Sequence, residues 1–279
     1  DARPPTSDHH DPIVQFHVST VEGAGGRARL QRRALPIGRV AATTTLAAMT
    51  SASRSSAPTA PAKLAAPAAI AGEVRRSVLA RRGAAVPPGS VVVVVAPPGS
   101  GKSTFVRQWS QSRPGAVSWL TIDRFNDSPA AFWRAVVRSV SAAVDGFGTE
   151  SLDLIDDDEI VGALHTFCID IADIADGVFM VLDDSHLIRS DQIWEQLEWL
   201  VEHLPPSVTV VLVGREAPNM ALSRLRLAGR LTEFGREQLQ FDEMETAALF
   251  AAAGIDRDDP LVAGLEQLND GWAAGLRMT

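Results

Sequence analysis

Five consecutive valines, Val91 to Val95, run straight into Ala96-Pro97-Pro98-Gly99-Ser100-Gly101-Lys102-Ser103-Thr104. These residue types at this spacing are suited to holding a polyphosphate. Gly99 and Gly101 let the backbone curl until its N–H groups converge on an anion. Lys102 offers an ammonium group to the β- and γ-phosphates, and the Ser103 hydroxyl is a ligand for Mg²⁺. A helix opening at this point adds the positive end of its dipole. The ligand implied is a nucleoside triphosphate with magnesium; no base-reading motif separates ATP from GTP. The loop departs from the usual pattern at Ala96, where a first glycine is common. Alanine still permits a tight turn after a strand, and the Gly-Ser-Gly-Lys-Ser core is intact.

Such a loop needs a carboxylate to complete the metal shell. Phe179-Met180-Val181-Leu182-Asp183-Asp184 is an apolar run ending in two acids. Asp183 is expected to hold Mg²⁺ through water, and Asp184 to orient or deprotonate an attacking water. The plainer alternative is a pair of acids that end a strand and cap the next helix. A third part is Arg215, in Val213-Gly214-Arg215-Glu216. It leaves the carboxyl end of another apolar run, where ligands gather in open α/β sheets. Its guanidinium would sense or stabilise γ-phosphate charge, unless it pairs with Glu216 or Asp184. His186 reads as a structural loop histidine. Asp156-Asp157-Asp158-Glu159 reads as a solvated helix start, since acids favour the positive end of a helix.

These groups are useful only if strands and helices alternate around them. Strands are expected at 91–95, 116–122, 178–182 and 208–213. Helices are expected near 73–80 and over 103–111, 128–144, 160–175 and 190–204. Ser128 caps one, and Pro205-Pro206 stops another. Residues 146–158 read as a polar surface loop. The alternation specifies an α/β fold, a P-loop NTPase with a parallel sheet and helices on both faces. From Asp242 onward the pattern turns helical, the start of a small helical domain. The expected organisation is a disordered low-complexity leader over 1–60, an arm with a short helix over 61–86, the nucleotide-binding domain over 87–240, and a helical subdomain over 241–279. Met49 is the expected start, and the helix near Trp272 is expected to continue past Thr279 in a longer protein.

Composition narrows the class. The chain has 279 residues, 46 % of them hydrophobic, a formal charge of −8 and one cysteine. The negative charge argues against a main nucleic-acid surface in these residues. One cysteine excludes an internal disulfide and fits a reducing, cytoplasmic setting. No apolar run is long enough for a membrane span.

The ordered set of motifs resembles a family. Pro61-Ala62-Lys63-Leu64 with Val74-Arg75-Arg76, then Trp119-Leu120-Thr121-Ile122-Asp123, Leu182-Asp183-Asp184-Ser185-His186-Leu187-Ile188 and Asn269-Asp270-Gly271-Trp272-Ala273-Ala274-Gly275-Leu276 are similar to segments of the large MalT-like, ATP-binding LuxR-type transcriptional regulators. These are signal-transduction ATPases with numerous domains. The resemblance implies that Arg76, Gly271 and Trp272 join the nucleotide site. Ala273 stands where the family has a proline near the adenine. It also implies an ATP/ADP switch with slow ATPase activity, nucleotide-dependent self-assembly, and inducer and DNA contacts lying beyond Thr279. Two other readings stay open. One is an AAA+-type motor or loader, with Arg226 or Arg230 as a finger and Arg277 as a second sensor. The other is a scaffold that binds nucleotide without hydrolysis.

Overall fold

The computed structural model describes residues 59–255 and 272–273. Most of the expected leader, Met49, Gly271, Arg277 and most of the C-terminal helical stretch lie outside the described residues. The elements follow in order as α1 (Ser77–Ala84), β1 (Val91–Val95), α2 (Lys102–Ser110), β2 (Ala116–Thr121), α3 (Pro129–Ser141), α4 (Thr149–Asp156), α5 (Ile160–Ala172), β3 (Val178–Asp183), α6 (Asp191–His203), β4 (Val208–Gly214), α7 (Leu222–Leu227), β5 (Leu231–Phe234), α8 (Arg236–Leu239) and α9 (Glu243–Ala253). Among the described residues the five strands are all parallel, in the order β2-β3-β4-β1-β5.

The valine run explains the central place of β1. Side chains alternate across a strand, so Val91 and Val93 join one core cluster while Val92 and Val94 join another. The first cluster packs the sheet against Phe132 and Val136 of α3, Phe167 of α5 and Leu197 of α6. The second packs it against Leu79 of α1, Phe105 and Trp109 of α2 and Leu239 of α8. Helices therefore cover both faces, as a strand apolar on both sides requires. On the second face Trp109 meets Phe179 edge-on, with centroids 4.7 Å apart. A Cβ at Gly83 would lie 2.7 Å from Trp109 Nε1, so only glycine lets α1 approach α2 this closely.

Four sequence expectations need correction. Residues 146–158 are not a loop throughout, because they contain α4. Its Ser151 hydroxyl donates to Ala163 O at 3.3 Å and Ile155 joins the core, so packing on its neighbours supplies what a helix of only eight residues lacks alone. The helix expected near 73–80 begins at Ser77 instead, because Gln108 of α2 donates to both the Glu73 carboxylate and Val74 O and holds that stretch against α2. The edge strand β5 was not expected. It pairs with β1 although only Phe234 of its four residues is buried. Finally, the acidic run is not one helix start: Asp156 ends α4 and binds Arg134, Asp158 adopts φ 65° in the turn, and Glu159 precedes α5.

Candidate nucleotide-binding site

The sheet order brings three loops together. β4 lies between β1 and β3, with Val95 opposite Gly214 and Leu182 opposite Leu212. The loops at the carboxyl ends of these strands carry residues 96–104, Arg215, and Asp184 with His186. The three parts that sequence spacing put forward thus share one end of the sheet, where open α/β folds bind ligands.

The first loop is curled as its glycines allow. Gly99 and Gly101 adopt φ 76° and 75°. Gly101 precedes α2 in the left-handed region, and no side chain caps the helix. The first N–H groups of a helix have no intrahelical partner, so those of Lys102, Ser103 and Thr104 remain for an anion. Lys102 Nζ folds back and donates to Ala96 O at 2.8 Å and Pro97 O at 2.9 Å. Burial lowers the pKa of Lys102, while the carboxylates of Asp183 and Asp184 act in the opposite sense. Ser100 is buried, whereas Pro97, Pro98 and Gly99 are exposed.

Opposite this loop, Ser103 Oγ donates to Asp183 Oδ1 at 3.1 Å. The Asp184 amide donates to the same oxygen at 3.0 Å. Asp183 is buried, and burial pushes its carboxyl up to about 6 against the pull of the Ser103 hydroxyl. A buried carboxylate beside a hydroxyl is a pair of hard oxygen donors, and it fits Mg²⁺, which takes one or two protein oxygens plus phosphates and water. Asp184 sits in the left-handed region at φ 58°, ψ 35°, with its side chain 43 % exposed. Arg215 is exposed and makes no ion pair among the described residues, yet its charge is felt at both Lys102 and His186.

Arg76 reaches the site from the arm. It is buried, and its Nη2 donates to Leu239 O at 2.7 Å and Gln240 O at 3.0 Å. Its guanidinium lies 3.1 Å from the Glu245 carboxylate and 4.4 Å from the Phe241 ring centre. Its Nη1 is buried without a hydrogen-bond partner and points at Gly101, where a Cβ would stand 3.5 Å away. The arm itself is clamped to α2. Arg107 and Gln108 both bind Glu73, and the Arg76 amide donates to Gln108 Oε1 at 2.9 Å.

Beside the loop lies a cavity of about 240 Å³, lined by Ile70, Val74, Arg76, Phe241, Leu249 and Ala273, with Gly99, Gly101 and Thr104 as its floor. Trp272 Nε1 donates to Pro98 O at 3.0 Å. Trp272 and Ala273 therefore stand next to the phosphate loop. Sequence reasoning missed Ile70, Phe241 and Leu249, whose one signal was their apolar character at the edges of the arm and of the C-terminal helical stretch. It also offered Arg230 as a finger. That side chain instead donates to Gly89 O at 3.1 Å and Val201 O at 2.9 Å, tying the turn before β1 to α6. Arg226 pairs with Glu233 at 2.8 Å.

Residues 88–218 match the AAA domain family. Over 194 residues, 67 % of its length, the chain is 30 % identical to the HTH-type transcriptional regulator MalT of Vibrio parahaemolyticus. This chain carries a MalT-like AAA domain. Over 229 residues, 78 % of its length, it is 27 % identical to MalT of Serratia proteamaculans. The MalT-like match covers 21 % and 24 % of those two relatives, so the chain spans less than a quarter of their length. Among solved structures, Aeropyrum pernix ORC1 in complex with DNA aligns with a TM-score of 0.45 at 14 % identity, covering 76 % of this chain and 59 % of that one. Drosophila ORC bound to DNA aligns with a TM-score of 0.44 at 13 % identity, covering 77 % and 56 %. No helix among the described residues is long and apolar enough to cross a membrane.

Proposed function

We propose that the MalT-like AAA domain of this chain is the nucleotide-operated switch of a transcriptional regulator, set by ATP or ADP with Mg²⁺ and reset by slow hydrolysis. One observation carries this reading. The Lys102 ammonium and the Ser103–Asp183 pair, 3.1 Å apart, flank a helix start that no side chain caps. Ammonium, hydroxyl, carboxylate and free amides converge there as a β/γ-phosphate and its cation would require. Residues 96–104 would wrap the phosphates. The neighbouring cavity, largely apolar and bordered by Arg76, would take the base, with Trp272 beside the loop; the resemblance adds Gly271 to the same set. Mg²⁺ on Ser103 and Asp183 would draw charge from the phosphate oxygens.

In hydrolysis a water oxygen bonds to the γ-phosphorus, the bond to the β–γ bridging oxygen breaks, and ADP leaves with that electron pair. Asp184 is the acceptor for the water proton, and Arg215 faces the γ-phosphoryl oxygens. A cytoplasmic setting, nucleotide-dependent self-assembly, and inducer and DNA contacts made by other parts of the whole protein belong to the same reading. The motor alternative asks for a free arginine finger. Arg230 is occupied by two carbonyls and Arg226 by Glu233, which favours the switch.

Calorimetric titration with MgATP, MgADP and MgGTP, with phosphate release followed in parallel, tests the reading. The expected outcome is tight ADP and ATP binding with rare turnover. Steady turnover would support a motor, and binding without turnover a scaffold. The absence of heat and of any thermal shift with every nucleotide would overturn the nucleotide site itself.

A further inference from the structure

Arg76 and Glu245 form the most enclosed ion pair among the described residues. Their side chains are 2 % and 6 % exposed, and Nε lies 3.1 Å from Oε2. Glu245 is the third residue of α9, where a carboxylate that only capped the helix would face water. Glu243, two residues earlier, does face water. Glu245 is turned inward instead, and its Oε1 is buried without a hydrogen-bond partner. Burial lowers the Arg76 pKa, and the Glu245 carboxylate, more than that of Asp242, acts in the opposite sense. A cation this deep needs its counter-charge.

Arg76 is fastened at both ends. Its amide donates to Gln108 Oε1 at 2.9 Å, so its backbone is tied to α2, the helix that follows the phosphate loop. Its guanidinium is held by Leu239 O, Gln240 O and Glu245, so its head belongs to the passage from α8 into α9. Among the described residues it alone lines two cavities. One is the cavity beside the phosphate loop. The other, of about 340 Å³, is lined by Arg82, Glu237, Gln238, Asp242 and Glu245. Glu245 thus grips Arg76 from the second cavity, while the unpaired Nη1 points at Gly101 in the floor of the first. A buried N–H without an acceptor favours a ligand that brings one. In the first cavity a sugar or phosphate oxygen of the nucleotide would be that acceptor. The Asp242 carboxylate stands outside this link, exposed and accepting from Glu245 N.

We infer that Glu245 is a positioning residue for the nucleotide: its ion pair with Arg76 aims Nη1 at the phosphate-loop side of the cavity and ties α9 to occupancy of the site. This rests on the nucleotide reading of loop and cavity given above. By reciprocity, what the Arg76–Glu245 pair adds to nucleotide affinity, bound nucleotide returns as stability of the α9 contact. The charges felt at Arg76 are those of Glu245 and Asp242; neither Lys102 nor Asp183 is among them. The link therefore acts alike on a diphosphate and a triphosphate.

Titration calorimetry and amide hydrogen exchange on the whole chain test this. Glu245→Gln keeps the length and capping geometry of the side chain and removes its charge. It should weaken MgADP and MgATP by the same factor, about tenfold. In wild type MgADP should slow exchange over Glu243–Ala253, and in Glu245→Gln that slowing should vanish. Glu243→Gln removes an equal charge that faces water and should leave Kd within about twofold. Arg76→Lys keeps the charge of the pair but offers no Nη1. It should lose affinity as Glu245→Gln does, while α9 of the nucleotide-free chain exchanges as in wild type. If Glu245→Gln does not fold, Arg76→Lys carries the same readouts. Once Arg76→Ala is present, Glu245→Gln should add nothing. Wild-type MgADP affinity in either Glu245→Gln or Arg76→Lys, a loss confined to MgATP, an α9 indifferent to MgADP, or fully additive effects would overturn the inference and leave the nucleotide reading standing. A wild-type chain that takes no nucleotide would overturn both.

Discussion

The first turn of α9 is closed by its own sequence, and the first turn of α2 is left open. In α9 the Asp242 carboxylate accepts from Glu245 N at 2.8 Å, while Glu245 reaches back to Asp242 N at 3.3 Å. Glu243 and Glu245 add negative charge at the positive helix end. In α2 a left-handed glycine stands at the cap, no side chain bonds the free amides, and no acid lies in the first turn. Both starts carry the same unsatisfied donors. One helix satisfies them with its own carboxylates, and the other leaves them open, where the proposed phosphates would bind. The contrast teaches that an uncapped helix start beside an ammonium and a buried carboxylate is a functional signal.

Removing the charge at the open start should have the largest effect. Lys102→Ala is expected to weaken MgATP binding about 100-fold by calorimetry, the size of a lost charge-assisted contact. Equal affinity in variant and wild type would show that the open turn is not the phosphate site.

Next in size is the carboxylate opposite. Asp183→Asn should abolish the Mg²⁺-dependent part of ATP affinity, seen by comparing titrations with magnesium and with chelator. It should also stabilise the nucleotide-free chain at pH 7.5 by on the order of 1–3 kcal/mol in denaturant melts, because an ionised group that the fold disfavours is removed. The sign follows from burial lifting the Asp183 carboxyl from 3.8 to about 6. Between those values the folded chain binds a proton that the unfolded chain does not. The Asp183 contribution to stability therefore improves as pH falls through about 6, while MgATP affinity declines over the same interval. An Asp183→Asn chain less stable than wild type at pH 7.5 would contradict this.

Two smaller substitutions sharpen the comparison between the starts. Gly101→Ala places a Cβ at φ 75° and 3.5 Å from Arg76 Nη1. The left-handed backbone costs alanine about 1–2 kcal/mol, so a lower Tm and roughly tenfold weaker nucleotide binding are expected. Asp242→Ala should cost about 1 kcal/mol of stability, the usual worth of a cap, and leave the Kd for MgATP within about twofold. A larger change in Kd would mean that the cap of α9, and not the Glu245 ion pair alone, communicates with the open start of α2 through Arg76.

Legibility in the sequence tracks how local the physics is. The phosphate loop was readable because a valine run, two glycines and the head of a helix determine it within fourteen adjacent residues, 91–104. Asp183 was readable as the acid that ends an apolar strand. α4 was not, because a short acidic helix has weak intrinsic preference and is stabilised by Ser151 and Ile155 packing on its neighbours. β5 was not, because a four-residue edge strand is defined by its partner β1. Arg76 came forward only through resemblance. Its hydrogen bonds to Leu239 O and Gln240 O span 163 and 164 residues, and no local pattern records them.

By itself the sequence determined the parallel α/β architecture, the curled glycine turn after β1 and the acid that ends β3, since these follow from side-chain alternation and backbone freedom over short stretches. The tertiary structure alone decided which strand separates β1 from β3, and so which loops share one end of the sheet. It also decided that Arg230 braces the fold and that Arg76 is drawn into the cavity wall. Those outcomes depend on distances between segments remote in the chain, which packing sets.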